Sequence, residues 1–210
     1  MVLKMLLMFR AFRLDLIMES ISSIISFAVA YYAMKAYRLT QNKSLMHLYF
    51  GFSVLGAGML TRVLSTIYVG ILAREIDITV RGLIYMIGII YGIMRTIAYF
   101  LFTLVYIERT KSLGEETLAI TGIPFIMNPY FEFIQMTLLI YVSTQAVMNF
   151  IEIKNINSLL ISMGFILLLI SHLLFMSSMI ETSYYIMGHI TQLLGFTCML
   201  IMLTKVGRGR

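Results

Sequence analysis

The chain has 210 residues, 60% hydrophobic and 12% charged, with a mean hydropathy of +0.92. Ordinary soluble domains carry about 25% charged residues, so a water-soluble globule is excluded. The formal net charge of +6 lies mostly in connectors and tails, where it speaks to membrane topology and anionic lipid. No basic domain outside the membrane exists to hold nucleic acid.

Several apolar windows of spanning length recur along the chain. The expected fold is all-α: one integral membrane domain over 1–210, built as a bundle of six transmembrane helices. Residues 1–14, with Lys4, Arg10 and Arg13, read as an interfacial segment or the flank of the first span. Asp15 and Glu19 interrupt the apolar run that follows, which argues for a span rather than a cleaved leader. Span 1 is placed at about 15–37, with Glu19, Ser22, Ser26 and Ala30 on a polar or small stripe. Span 2, about 45–72, puts Gly51, Gly58, Arg62 and Ser65 on one face. Span 3, about 82–107, carries Arg95 and the small-residue ladder Gly88-xxx-Gly92-xxx-Thr96, which lets another helix approach closely.

A long apolar stretch follows, broken by Pro124 and Asn128-Pro129. A short interfacial or re-entrant piece is expected over 117–128. Span 4, about 130–151, has a polar stripe that includes Glu132, Gln135 and Gln145. Spans 5 and 6 are placed at about 157–179, with His172, and about 184–204, with His189 and Gln192. Six alternating spans put both termini on one side, and the Lys and Arg distribution then makes that side cytoplasmic. The expected location is the plasma membrane.

NKSLMHLYFGFSVL (42–55) echoes NINSLLISMGFILL (155–168), with Asn, a Ser-Leu pair and Gly-Phe in similar order. The echo points to two three-helix repeats. Alternation would make them inverted, as in many transporters.

Arg62 and Arg95 carry the strongest chemical signal, because an ionised side chain inside a bilayer is costly. Each reads as a ligand-binding cation or as half of a structural ion pair. Glu19 or Asp15 is the expected partner of Arg62. No acidic partner for Arg95 is obvious, and Gln145, tyrosine hydroxyls or backbone carbonyls are the candidates. Glu19, Glu132, Gln145 and Gln192 complete the set of intramembrane polar candidates. His172 and His189 fall at similar depth on consecutive spans, a pattern open to ligation of b-type haem or a metal. Without flanking glycines or further ligands beyond His47, two hydrogen-bonding histidines are the simpler reading, and no cofactor or metal is favoured. The single Cys198 reads as a packing residue. No nucleotide loop, zinc-protease motif or nucleophile elbow is present, so catalysis has no support.

The segment AYRLTQNKSLMHLYFGFSVLGAGML (36–60) resembles connectors of small, poorly characterised archaeal polytopic membrane proteins, some of which look like the input modules of sensors. That resemblance implies membership of a poorly characterised group rather than an activity, and a sensory role would require a separate partner. Short connectors and polar stripes agree with an accessory, scaffolding or sensory subunit of a larger membrane assembly. Its expected partners are lipids and other membrane subunits or a second copy. A small-solute or ion transporter or channel using the arginines is the second expectation, and a haem-bearing electron-transfer subunit the third.

Overall fold

The structure, a computed structural model, describes residues 2–72, 80–110, 129–178 and 181–208. Six helices account for them: α1 (Val2–Thr40), α2 (Lys43–Leu72), α3 (Val80–Thr110), α4 (Pro129–Ile153), α5 (Ile156–Ser177) and α6 (Thr182–Arg208). All six are long and apolar enough to cross a membrane, and no strand occurs among the described residues. The apolar stretch in α1 begins at Leu16, and the residues before it continue the same helix. The piece expected over 117–128 lies outside the described residues.

The burial pattern is that of a membrane protein. Ile24, Leu64 and Ile84 face outward at 69%, 59% and 56% exposure, while Glu19, Gln135 and His172 lie inside at 1%, 1% and 0%. Exposed aliphatic side chains belong against lipid, and the polar groups find their partners within the bundle.

Each helix packs on its chain neighbours, and α6 closes on α1, so the six form a ring in sequence order. Paired contacts set their directions. Between α1 and α2, Ser23 and Ser26 donate to the Gly56 and Phe52 carbonyls, both at 2.9 Å. Arg62 of α2 reaches back to Glu19, so this pair is antiparallel. Glycine contacts make α2 antiparallel to α3 (Gly51 on Phe102, Gly58 on Met94) and α5 antiparallel to α6 (Gly164 on Gly195, Gly188 on Phe175). Paired contacts make α2 antiparallel to α6 (Phe52 on Phe196, Arg62 on Tyr185) and α5 antiparallel to α3 (Phe165 on Phe102, His172 on Tyr99). His172 near the end of α5 meets Glu132 near the start of α4. Together these pairs send α1, α3, α4 and α6 one way and α2 and α5 the other.

This corrects two expectations. The halves are not inverted: α1–α3 and α4–α6 run in the same sense. The start of α1 and the end of α6 lie at opposite ends of the bundle, not on one side. The alternation fails at one place, between α3 and α4, which run parallel.

The halves match in detail. Gln41 and Lys154, with φ of 55° and 51°, occupy the left-handed region at the ends of α1 and α4. Their N–H groups donate to the Tyr37 and Phe150 carbonyls at 2.7 and 2.8 Å, a helix-ending turn. Asn42 and Asn155 follow, and their side chains accept from the Ser44 and Ser158 N–H groups at 3.0 and 2.7 Å, which caps the next helix. Further on, Phe102 covers Gly51 and Met199 covers Gly164. Glu19 and Glu132 stand equally far before the two capping asparagines. The ring contacts obey the same two-fold relation, since α3 on α4 repeats as α6 on α1.

The centre is filled by aromatic rings. Phe52 lies 4.7 Å from Phe102 and 5.9 Å from Phe196, and Phe102 lies 5.7 Å from Phe165, ring centre to ring centre. All four are buried, and they form a plug across the bundle.

Candidate functional site: a charged layer and its cavity

Beyond the plug, at the end where α1, α3, α4 and α6 begin, the bundle gathers its charges. Glu132 and Tyr185 sit about one turn inside the starts of α4 and α6, and His172 little more than a turn before the end of α5. The layer therefore lies close to the rim of the second three-helix unit.

Two ion pairs organise it. In the first, Arg62 Nη1 donates to Glu19 Oε1, and Arg62 Nη2 donates to the Tyr185 hydroxyl at 3.2 Å. In the second, Arg95 Nη1 donates to Glu132 Oε1 at 3.3 Å. The other carboxylate oxygen of Glu132 lies 2.7 Å from His172 Nδ1. His172 Nε2 lies 2.8 Å from the Tyr99 hydroxyl and 2.9 Å from Arg95 Nη2. One tautomer satisfies the set: Nδ1–H donates to the carboxylate, and Nε2 accepts from Tyr99 and Arg95. The Tyr91 ring lies between the pairs, with the Arg62 and Arg95 guanidinium carbons 5.0 and 5.1 Å from its centre. A buried ion is tolerated only with such partners, and here each arginine has a carboxylate and an aromatic face.

Between the pairs opens a cavity of about 240 Å³. Arg62, Arg95, Glu132, Ser178, Tyr185 and His189 give it polar groups, and Tyr91, Phe131 and Phe175 supply apolar walls. One member of each pair is held inside and the other is accessible. The Glu19 and Arg95 side chains are 1% and 5% exposed, against 25% for Arg62 and 27% for Glu132. The cavity wall thus carries two guanidiniums and one carboxylate, from three different helices.

The two units use the layer differently. The counterparts of Glu132, His172, Arg95 and Tyr99 in the other half are Glu19, Met59, Gln192 and Phe196. There Gln192 Nε2 meets the Met59 sulfur at 3.9 Å. The second unit places His172 beside its carboxylate where the first has Met59, and Tyr99 beside that histidine where the first has Phe196.

A family described only as a family of unknown function, DUF7521, matches residues 16–101. The match covers most of α1–α3 and stops inside α3, so it follows the first three-helix unit. No curated protein and no solved structure matches the chain.

The remaining sequence candidates fall into place around the site. The Gly88-Gly92-Thr96 face receives α4. A Cβ on Gly92 would come within 2.9 Å of the Phe131 ring, and Gln135 Nε2 donates to the Gly92 carbonyl at 3.2 Å and to Thr96 at 3.3 Å. Gly88 lines the cavity. Gln145 lies about 20 Å further along α4 than Glu132 and does not reach Arg95. Phe175 packs against both histidine rings, 6.1 Å from His172 and 4.8 Å from His189. With both His172 nitrogens engaged, the two rings do not form an axial ligand pair. No group of three or more potential metal ligands occurs among the described residues, and His47 lies near the start of α2, at the opposite end of the bundle.

Sequence reasoning missed Tyr91, Phe131, Phe175 and Tyr185 as site residues. One signal existed: Tyr91, Arg95 and Tyr99 are spaced i, i+4, i+8, which lines an arginine with rings along one helix face.

Proposed function

We propose that this multi-pass membrane protein is a sensory subunit of a larger membrane assembly, with the charged cavity as its input site. One observation carries the reading: the cavity is polar on one side of the bundle centre, and a packed aromatic plug fills the other. A polar chamber closed on one side by packed rings suits a site that receives a ligand. α6 contributes Tyr185 and His189 to the cavity wall and runs on to the far end of the bundle, so one helix joins the proposed input site to the end where a partner would be met.

Charge supports an orientation. Arg38, Lys43, Arg109, Lys154, Lys205 and Arg208 all belong to the end away from the cavity. Among the described residues the cavity end has fewer: Arg81 and, in the extension of α1, Lys4, Arg10 and Arg13. By the positive-inside rule the far end, with the C-terminal tail, is cytoplasmic, and the cavity faces outward.

A transporter is the second reading, favoured by the two-fold pairing of three-helix units, an arrangement that transporters use. Purification in mild detergent followed by reconstitution separates the two. The sensory reading expects a stoichiometric partner chain and no solute flux from the protein alone. Recovery of a lone chain that supports flux, lost in Arg95→Ala, would contradict it.

A further inference from the structure

We propose that the cavity binds a zwitterion: a small group carrying a cationic ammonium and an anionic carboxylate or phosphate within a few bonds of each other. This deepens the sensory reading above and rests on it.

The argument starts from the accessible charges. A site for a simple anion would expose its cations and bury no carboxylate beside them. A site for a simple cation would do the reverse. Here Arg62 and Glu132 both line the cavity with about a quarter of their side-chain surface accessible. Arg95 also lines the cavity, and Glu19 is buried behind Arg62. Both signs of charge therefore meet the cavity, and each lining charge is held in place by an ion pair.

The surroundings extend the polarity. Tyr185, already a partner of Arg62, places a hydroxyl beside the cation. Phe131, next in sequence to Glu132, places a ring beside the anion. A carboxylate plus an aromatic face is the chemistry that holds alkylated ammonium groups, and a guanidinium with a phenol hydroxyl holds an oxyanion. The volume of about 240 Å³ is below that of drug-sized sites, which run from about 300 Å³ upward. It suits an amino-acid-sized molecule or a single lipid headgroup. Both sources offer the same chemistry, and the rim position of the layer leaves both within reach.

The test is a set of binding measurements on the full chain purified in maltoside. Glycine betaine is the free zwitterion, choline and acetate are its separate halves, and short-chain phosphatidylcholine and phosphatidylglycerol are the lipid arms. The proposal expects a zwitterion to bind at least tenfold tighter than choline or acetate. Betaine as the tight ligand assigns a free solute. Phosphatidylcholine stabilising the fold where phosphatidylglycerol does not, with betaine weak, assigns a headgroup. Tyr185→Phe, which removes one hydroxyl and keeps the ring, should weaken the zwitterion several-fold and leave choline unchanged. Acetate, choline or phosphatidylglycerol binding as tightly as a zwitterion would overturn the proposal and leave the sensory reading standing. Absence of binding by every probe would overturn the proposal, while the sensory reading stands or falls on recovery of a partner chain. The selectivity is read on the unmodified protein, so no outcome depends on a variant folding.

Discussion

Replacing Glu132 with alanine should destabilise the protein by about 3 kcal/mol, the lower part of the range for breaking a buried ion pair. The substitution leaves Arg95, 4% exposed, with its charge uncompensated, and it removes the acceptor of His172. Glu132 itself keeps 27% exposure, which is why the upper part of that range is not expected. The other half of the molecule suggests the compensating change. Its positions equivalent to Arg95 and His172 hold Gln192 and Met59, which fill the same place without charge. The triple variant Arg95→Gln/Glu132→Gln/His172→Met should therefore recover most of the lost stability, because removing a complete buried network costs far less than orphaning one member. Chemical denaturation of the detergent-solubilised protein measures both. A single variant as stable as the parent would show that the pair does not hold the layer together.

Gly195→Val should be comparably damaging for a different reason. α5 and α6 cross at Gly164 and Gly195, and a Cβ on Gly195 would lie 2.9 Å from the Gly164 carbonyl oxygen and 3.3 Å from the Leu167 Cβ. Neither atom is the end of a flexible side chain, so the two helices must separate. Overpacking of this kind costs about 1–3 kcal/mol, occasionally more, and the shift passes directly into the neighbouring plug at Phe196. Gly70→Val is the control: nothing lies within 4 Å of that position, and valine has the better helix propensity. Thermal unfolding should separate the two variants clearly. Equal melting would contradict the close helix crossing.

Much of this fold was legible because lipid imposes a simple rule. Helix count and approximate limits follow from apolar length, and the stripe residues Glu19, Ser26, Gln135 and Gln192 turn inward because a bilayer offers them no partners. The repeat was legible too, through the Asn-capped starts of α2 and α5. Its sense was not. Hydropathy carries no direction, and the assumption of alternating spans inverted the second half. That one assumption also hid the partner of Arg95. With α4 drawn antiparallel to α3, Glu132 falls towards the wrong end of span 3. With the two parallel, Glu132 comes level with Arg95. The aromatic walls were invisible for another reason. Phe131, Phe175 and Tyr185 come from three helices, and in an apolar sequence a ring facing a cavity looks the same as one facing lipid.

The same-direction arrangement of the two units is the claim on which the rest depends, and sided labelling tests it. Single cysteines are placed at Lys43, Ile156 and Glu181 in a Cys198→Ser background. All three positions are exposed, at the start of α2, the start of α5 and just before α6. A membrane-impermeant maleimide is applied to intact cells and then after permeabilisation. The structure predicts that positions 43 and 156 share one side, labelled only after permeabilisation, and that 181 labels in intact cells. Labelling of 43 together with 181, with 156 on the opposite side, would restore inverted halves and contradict the account.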